Sequence, residues 1–364
     1  MKVPVPTPVV AEVQLGSFRC FDAARLEPGP GFNLIAGSNA SGKTSLLEAL
    51  YFLGRGTSFR AARAEAAIHF EAERCTLFAR LGAGLASRVG LELSRSEGSI
   101  IRVDGVAGTR ADLARALPVQ ILEPASHELV SGAPAGRRQF LDWGVFHVEP
   151  AFLPAWQRYR RSVQQRNAAL KARNPAAAWH WDESLIADGL VVDECRRRLM
   201  TLLQPAVQRV GERLLGAEVA LSYLPGWAEG SALGEALVGS RDRDLQLGTS
   251  TVGPHRADFR ITVHTRRARD TVSRGQEKLV AAALTLAQVE LVAESRAQIV
   301  VLLLDEPGAD LDREHLARLL EVVADSAVQS FVTSLDSTAV PLPRDARTFH
   351  VERAGTASFA IISG

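Results

Sequence analysis

The chain has 364 residues, of which 46% are hydrophobic, which is enough for two domains or for one large domain with an insertion. Lysine and arginine total 42 against 41 acidic residues, so the net charge is only +1 and any surface for nucleic acid must be local. The three cysteines are far apart, and no stretch of 18 apolar residues occurs, so we expect a cytoplasmic protein without a disulfide framework or a membrane span.

The first elements in chain order surround a phosphate-binding sequence. Alternating prolines in residues 1–12 predict a flexible leader, and residues 13–15 predict an edge strand. Residues 37–44 read Gly-Ser-Asn-Ala-Ser-Gly-Lys-Thr, the G-x-x-x-x-G-K-[ST] pattern of the P-loop, between a strand at 32–36 and an amphipathic helix at 45–53. This order of strand, glycine loop and helix is the context in which the pattern binds the phosphates of a nucleoside triphosphate.

The P-loop predicts a first set of site residues. Lys43 is expected to reach the β- and γ-phosphates and to assist catalysis, and Thr44 is expected to hold Mg²⁺, so ATP and Mg²⁺ are the predicted cofactors. The alternative is a glycine turn before an ordinary helix. The residues predicted to contact the nucleotide are Gly37, Ser38, Asn39, Ala40, Ser41, Gly42, Lys43, Thr44 and Ser45.

After the P-loop helix, the predicted secondary structure changes twice along the chain. Short strands are predicted between residues 66 and 106, ending at the hairpin dipeptide Asp104-Gly105, and they indicate a small antiparallel sheet. Residues 126–247 have mainly helical periodicity, and residues 248–364 return to alternating strands and helices. The predicted fold is therefore α/β: a discontinuous ATPase domain of residues 13–122 and 248–364, with a mainly helical second domain inserted at residues 123–247.

Two carboxylates follow a strand that is predicted to be buried on both faces. A run of five apolar residues, 300–304, precedes Asp305 and Glu306. Carboxylates at the carboxyl end of such a strand lie in the crevice where α/β sheets bind ligands. We predict that Asp305 supports Mg²⁺ and that Glu306 is the catalytic residue that orients the attacking water. The alternative is a buried strand that ends in a solvated turn.

A second phosphate site is predicted where a long helix begins near residue 278. Ser273 and Gln276 form an S-x-x-Q capping box. Because a serine hydroxyl and free N–H groups at a helix start also bind anions, Ser273, Gly275 and Gln276 are predicted to contact the nucleotide. The alternative is that this motif only caps the helix.

These three pieces in this order resemble the ABC-type ATPase superfamily. There the serine-containing signature of one subunit covers the γ-phosphate held by the other, so the resemblance implies an ATP-dependent homodimer. It also implies that Asp312, in the D-loop, lies at that interface and contacts the nucleotide, and that Gln120 is a Q-loop residue that contacts Mg²⁺ and the catalytic water. The usual switch histidine is missing, and Thr333 or Ser334 stands in its place.

Further stretches resemble the RecF family of bacterial recombination-repair proteins, from about residue 13 to the C-terminus. They are Ser-Phe-Arg at 58–60, residues 122–132 and 137–150, Gln-Arg-Asn-Ala-Ala-Leu at 165–170, Gly-Pro-His-Arg-Ala-Asp at 253–258 and Ser-Arg-Gly-Gln-Glu-Lys at 273–278. No single stretch is specific, but the combination is.

The RecF resemblance implies a weak, DNA-stimulated ATPase that binds single-strand and linear double-strand DNA, above all at gapped junctions. It implies RecO and RecR as partners, help in loading the RecA recombinase, and a role in the SOS response. The implied fold resembles the head of Rad50 without its long coiled coil, because an insertion of about 120 residues is too short for such an arm.

DNA binding by a chain of this net charge needs a local basic surface. Residues 137–173 carry eight lysine and arginine residues but only two acidic ones, and such a stripe suits sequence-independent contact with phosphates. The alternative is a solvated helix face. The residues predicted to bind DNA are Arg137, Arg138, Arg158, Arg161 and Arg166.

Two other functions stay open on the sequence alone. The nucleotide-binding subunit of a membrane transporter shares the P-loop and the Asp-Glu pair, but it usually carries Ser-Gly-Gly-Gln where this chain has Ser-Arg-Gly-Gln at 273–276. An ATP-gated scaffold that binds only proteins also fits, because the basic stripe could face an acidic partner. A measurement of DNA binding would distinguish both alternatives from the preferred function, which is that of a DNA-binding ATPase.

Overall fold

A computed structural model describes residues 9–82, 86–296, 300–326, 328–335, 343, 345–354 and 358–363. The strands are β1 (Val10–Phe18), β2 (Phe21–Leu26), β3 (Phe32–Ala36), β4 (Arg74–Leu81), β5 (Arg88–Ser94), β6 (Gly98–Val103), β7 (Val106–Ala107), β8 (Val119–Leu122), β9 (Val219–Leu224), β10 (Asp258–Val263), β11 (Arg266–Arg267), β12 (Val301–Leu304), β13 (Gln329–Ser334), β14 (Arg347–Ala354) and β15 (Ser358–Ser363).

The chain forms two compact units. Unit 1 is Met1–Ser126 with Ala281–Gly364, and unit 2 is His127–Val280. The helices are α1 (Lys43–Arg55), α2 (Arg110–Ala116), α3 (Glu128–Ser131), α4 (Pro134–Val148), α5 (Phe152–Lys171), α6 (Pro175–Trp179), α7 (Asp182–Leu215), α8 (Leu233–Gly239), α9 (Arg241–Leu247), α10 (Ala268–Thr271), α11 (Arg274–Arg296) and α12 (Arg313–Asp325), with short 3₁₀ turns at Ala64–Ala67, Pro124–His127 and Pro254–Arg256.

Unit 1 contains a mainly parallel six-stranded sheet in the order β15-β14-β3-β13-β12-β8. Strand β15 runs antiparallel to β14, and the other neighbouring pairs are parallel. Every residue of β12 is buried, which confirms the prediction from its continuous apolar run. Leu304 pairs with Leu122 on one side and with Val332 on the other, so the carboxyl ends of β8, β12 and β13 lie side by side.

The predicted small antiparallel sheet is present and is larger than expected. Its order is β2-β1-β4-β5-β6-β7, because β1 and β2 join the strands predicted between residues 66 and 106. The predicted hairpin is confirmed: Val103 pairs with Val106 across Asp104 and Gly105, whose φ angles of 52° and 85° are those of a type I′ turn.

The core of unit 1 lies between its two sheets and is filled by α1. Leu46, Leu50 and Phe52 of this helix are fully buried, and the Phe52 ring meets the Phe18 ring edge-on at a centroid distance of 5.8 Å. Burial of each such side chain contributes about 1.5–3 kcal/mol. This packing fixes α1, and with it the P-loop that precedes it.

Unit 2 contains the remaining helices α3–α10, the first turns of α11 and a three-stranded antiparallel sheet in the order β11-β10-β9. Helix α7 is 34 residues long and has buried residues along its length, so it is the central element of this unit. Strand β10 pairs with β9 along its full length, from Asp258 with Leu224 to Val263 with Val219.

The division of the chain differs from the predicted domains in two places. Residues 248–280 belong to unit 2 and not to the ATPase domain, because the pairing of β10 with β9 ties them to the inserted segment. The leader also ends earlier than predicted, because Val10 is buried in β1 and its N–H donates to Gln329 Oε1 at 2.8 Å. Residues 1–8 of the predicted leader lie outside the described residues.

Candidate functional site

The P-loop connects β3 to α1 in a conformation that needs its glycines. A Cβ at Gly37 would lie 2.5 Å from the carbonyl oxygen of Val351, and Gly42 has a φ of 104°, in the region that favours glycine. The Gly37 N–H donates to the Ser334 carbonyl at the end of β13, which joins the loop to the sheet edge. The loop therefore starts where the carboxyl ends of the parallel strands meet.

Two side chains of the P-loop are oriented toward the space that the loop encloses. Lys43 is 4% exposed, and its Nζ donates to the carbonyls of Gly37 and Ser38 at 2.9 and 2.8 Å. Burial lowers the pKa of Lys43, while the charges of Glu306 and Asp305 oppose that shift. The Ser41 hydroxyl is buried and, in the described part of the chain, has no hydrogen-bond partner. A loop with a buried cation and an unpartnered hydroxyl fits a phosphate group.

Asp305 links the P-loop helix to the neighbouring strand. Its Oδ1 accepts hydrogen bonds from Thr44 Oγ1 at 3.0 Å and from Thr333 Oγ1 at 2.9 Å. Burial raises the pKa of Asp305, and the hydrogen bonds from Thr333 and Thr44 oppose that rise. A hydroxyl and a carboxylate at one point are oxygen donors of the kind that Mg²⁺ takes together with substrate phosphates, so Thr44 and Asp305, two of the three predicted metal ligands, fit the ion.

Glu306 is held in an unusual backbone conformation beside Asp305. Its φ is 45°, in the left-handed region that residues with side chains rarely adopt. The Glu306 N–H donates to Thr333 Oγ1 at 2.8 Å, and this contact holds the conformation. Thr333, one of the two candidates for the missing switch histidine, thus contacts both predicted acidic residues.

Gln120 does not lie where the Q-loop prediction requires. It pairs with Leu302 in the middle of the sheet, three residues before Asp305, which is about 10 Å along a strand. Its Nε2 donates to Gln288 Oε1 at 2.7 Å, and its Oε1 accepts from Arg55 Nη2 at 3.1 Å. The prediction of a catalytic and metal-binding role was wrong, because strand register places this amide inside the unit with its partners supplied by α1 and α11.

An acidic residue of α1, Glu48, contacts residues 58–60, one of the stretches that resemble the RecF family. Glu48 is fully buried and forms a bidentate pair with Arg19, at 2.5 and 2.8 Å, and also accepts from the Ser58 hydroxyl. Arg60 lies 3.5 Å from Glu48, and its positive charge favours the ionised form of Asp305. The signal for this contact was a glutamate on the otherwise apolar helix after the P-loop.

The predicted capping box at the start of α11 is present and exposed. The Ser273 N–H donates to Gln276 Oε1 at 2.9 Å, and the Gln276 N–H donates to Ser273 Oγ at 3.4 Å. Gly275 lies between them in the first turn. The contacts confirm the cap, and the nucleotide role of the three residues stays a prediction.

The structure gives Asp312 a role as a helix cap. It precedes α12, where its Oδ1 accepts from the His315 N–H at 2.9 Å and its Oδ2 lies 2.7 Å from His315 Nδ1. These hydrogen bonds from His315 lower the pKa of Asp312. Both carboxylate oxygens are thus occupied by the helix that follows, and the predicted nucleotide contact stays a prediction.

The arginines predicted to bind DNA are mostly occupied inside unit 2. Arg166 is fully buried and pairs with Asp182 at 2.8 Å and with Asp244 at 2.7 Å. Arg137 is buried against Asp258 in a bidentate pair at 2.6 and 3.1 Å. The DNA prediction was wrong for both, because acidic partners distant in sequence neutralise them.

The other three members of the predicted stripe are more accessible. Arg158 pairs with Asp188 at 2.7 Å, and Arg138 donates to the Ala257 carbonyl at 2.9 Å. Arg161 is exposed on α5, and its side chain has no ion pair within the described ranges. The stripe therefore does not form the continuous cationic surface that the sequence indicated.

The Gly-Pro-His-Arg stretch at 253–256 lies directly before β10 and is held by hydrogen bonds of its histidine. Tyr159 Oη and His255 Nδ1 are 2.7 Å apart, and His255 Nε2 lies 3.0 Å from the Ser250 carbonyl. Burial lowers the pKa of His255 to about 4, so the ring is neutral at pH 7, with Nε2 donating and Nδ1 accepting. A Cβ at Gly253 would lie 2.5 Å from Tyr159 Oη, so this stretch packs directly against α5.

With this geometry established, comparison with known proteins decides the family. The family model of the RecF/RecN/SMC N terminal domain matches residues 9–352. The DNA replication and repair protein RecF of Pseudomonas putida strain W619 is 38% identical over 351 residues, which are 94% of this chain and 96% of that protein. The chain belongs to the RecF family. The corresponding protein of Pseudomonas aeruginosa strain PAO1 is 39% identical over 333 residues, 90% of each chain.

Solved structures agree with the fold. The structure of the recombination mediator protein RecF-ATPrS in the RecFOR pathway matches with a TM-score of 0.86 at 23% identity, over 97% of each chain. An Smc head bound to the C-winged helix domain of ScpA matches with a TM-score of 0.60 at 15% identity, over 98% of each chain. The predicted ABC-type head fold is confirmed. No helix in the part of the chain that the structure describes is long and apolar enough to cross a membrane.

Proposed function

We propose that this chain is an ATP-driven DNA clamp of replication and recombinational repair. The observation that carries the proposal is the convergence of Thr44, Asp305 and Glu306 beside Lys43 at the carboxyl edge of the parallel sheet. Relatives at 38% and 39% identity are DNA replication and repair proteins, and RecF-ATPrS and RecF-ATP share the fold. Together they support ATP as the nucleotide and DNA as the macromolecular ligand.

Each part of the site has one task in ATP hydrolysis. The loop N–H groups and Lys43 bind and orient the phosphates, and Thr44 with Asp305 would hold Mg²⁺, which neutralises developing phosphate charge when bound. Glu306 orients the attacking water, and Thr333 fixes its backbone. Thr333 replaces a histidine that could itself contact the γ-phosphate, which supports slow turnover.

ATP binding would join two copies of the chain. The exposed Ser273 cap of α11 is a second anion site, and in an isologous dimer each P-loop would face the Ser273 of the partner subunit. ATP favours this dimer only if it binds the closed form better than the separate subunits, and the second phosphate contact supplies that difference. Hydrolysis then reopens the clamp.

The closed dimer would bind gapped DNA and single-strand/double-strand junctions. The solved relative belongs to the RecFOR pathway, which supports RecO and RecR as partners and assistance in loading RecA. DNA would stimulate ATP hydrolysis by stabilising the closed state in which both phosphate sites are engaged.

The first test measures binding of a fluorescent gapped duplex by anisotropy, with and without Mg-ATP. We expect ATP-dependent binding that weakens with salt, and we expect Lys43→Met to lose both DNA binding and ATP-driven dimerisation. Absence of wild-type binding at low salt with ATP would contradict the proposal and favour a protein scaffold or a transporter subunit.

A second variant separates ATP binding from hydrolysis. Glu306→Gln should still dimerise with ATP. Its rate of ATP turnover should fall by about 100-fold or more, because the carboxylate that orients the water is lost. Dimer lifetime after ATP removal, measured by size-exclusion chromatography, should rise in parallel. A wild-type dissociation rate in this variant would show that Glu306 has no catalytic role.

A further inference from the structure

A group of basic residues outside the predicted stripe lies on the small sheet of unit 2. Strand β10 alternates between the buried Phe259 and Ile261 and the outward-facing Arg260 and Thr262. Thr262 pairs with Arg267 of β11, so Arg260 and Arg267 are diagonal neighbours on one face. Arg269, at the start of α10, follows directly after β11.

These arginines line one cavity. Arg260, Arg267 and Arg269 surround a space of about 110 Å³, together with the Arg137–Asp258 pair and an aliphatic wall that includes Leu224. The volume is several times that of one water molecule, and it accommodates a phosphate group. The cavity therefore has the size and the basic lining that suit an anion.

The negative charges near the cavity are already neutralised. Both oxygens of Asp258 are bound by Arg137, and Asp258 Oδ1 also accepts from the Phe259 N–H. Asp270 lies 3.3 Å from Arg269, and both are exposed. In the described ranges, the side chains of Arg260 and Arg267 have no ion pair or hydrogen bond. Like charges placed this way repel each other, so the arrangement costs stability unless an anion binds.

The hairpin that carries these arginines is short and strained. His264 and Thr265 connect β10 to β11 with φ angles of 47° and 70°, both positive, as a type I′ turn requires. Thr265 is β-branched and rarely adopts such a conformation. The full pairing of β10 with β9 offsets the strain and fixes the strand that carries Arg260.

We propose that Arg260, Arg267 and Arg269 bind phosphodiester groups of the DNA backbone. This deepens the proposed function, on which it rests. The cavity is open to solvent, and Arg260, Arg267 and Arg269 are exposed at it, which suits repeated, sequence-independent phosphate contacts.

The position of this surface in the chain connects it to the ATP signature. Helix α10 ends at Thr271, and the Val272 N–H donates to the Ala268 carbonyl at 3.0 Å. Ser273 follows and caps α11. Arg267 and Arg269 therefore lie only a few residues before Ser273 in the chain.

The test compares Arg260→Ala/Arg267→Ala with a matched control, Arg198→Ala/Arg243→Ala, which removes two exposed arginines of α7 and α9 in the same unit. Anisotropy of a gapped duplex is measured with Mg-ATP at several salt concentrations. We expect the first variant to bind about tenfold more weakly and to lose about two units of salt slope, one for each phosphate contact. The control should behave like wild type, and ATP turnover without DNA should be unchanged in both.

A charge-preserving variant distinguishes the loss of positive charge from a disturbance of the fold. Arg260→Lys/Arg267→Lys keeps two phosphate contacts, so it should bind DNA within a fewfold of wild type. If wild type binds DNA and the alanine variant keeps the same affinity and salt slope, the surface is not a DNA site. That result would be expected if the surface bound an acidic protein instead. If wild type itself fails to bind DNA, the proposed function falls with it, so the two failures are distinguishable.

Discussion

The hydroxyl of Thr333 joins the two carboxylates of the candidate site. It donates to Asp305 and accepts from the Glu306 N–H, so one side chain favours the ionised form of the first residue and holds the backbone of the second. The sequence showed only that a histidine was missing. The contact shows that a smaller residue in that place supports both acidic residues through its hydroxyl.

Thr333→Val keeps the shape of the side chain and removes its hydrogen bonds. We expect ATP turnover to fall about 10-fold to 100-fold because Glu306 loses its fixed position, while ATP affinity changes little. Thr333→Ser should restore most of the rate. The readout is steady-state turnover beside nucleotide binding, with Ser334→Ala as the control. Equal turnover in Thr333→Val and wild type would show that the hydroxyl does not position the acidic pair.

At the scale of elements, the Ser273 hydroxyl at the start of α11 has an observed role as a helix cap and a predicted role in binding ATP. The Ser273 hydroxyl accepts from the Gln276 N–H, as any helix cap would. The same exposed hydroxyl is the predicted contact to ATP across the dimer. A variant that keeps the cap and changes the hydroxyl distinguishes these roles.

Asparagine is as good an N-cap as serine, so Ser273→Asn should keep the thermal midpoint of wild type. Ser273→Ala should lose about 1 kcal/mol of stability. If Ser273 contacts ATP in the dimer, both variants should lose ATP-driven dimerisation, measured by analytical ultracentrifugation. Normal dimerisation of Ser273→Asn would show that the residue is only a cap.

The sequence predicted those elements that depend on residues close together in the chain. The apolar run before Asp305 became a parallel strand buried on both faces, and the Asp104-Gly105 dipeptide became a type I′ hairpin. The boundary at residue 248 failed because the β9–β10 pairing joins segments nearly 40 residues apart, and register between distant strands leaves no trace in composition. Gln120 failed for the same reason, since only the pairing with β12 shows its depth in the sheet.

At the scale of the whole molecule, the near-zero net charge hides how the charges are used. Arginines of the predicted stripe pair with acids that lie up to 121 residues away, as Arg137 does with Asp258. Such pairs stabilise the fold. The arginines that have no acidic partner of this kind are the ones that can bind ligands. An arginine count along the sequence therefore predicts the amount of positive charge but not the surface on which it is displayed.

Arg166 provides the sharpest test of this view. Its guanidinium joins α5 to Asp182 at the start of α7 and to Asp244 in α9, with Arg166 and Asp244 fully buried. Arg166→Met leaves both carboxylates without that partner, so we expect a loss of about 3–5 kcal/mol of unfolding free energy, measured by urea denaturation. Arg161→Met, on the exposed face of the same helix, should cost less than about 0.5 kcal/mol. At a temperature where Arg166→Met is still folded, its affinity for gapped DNA should equal that of wild type. A folded Arg166→Met with weakened DNA binding would return this residue to the DNA surface that the sequence first indicated.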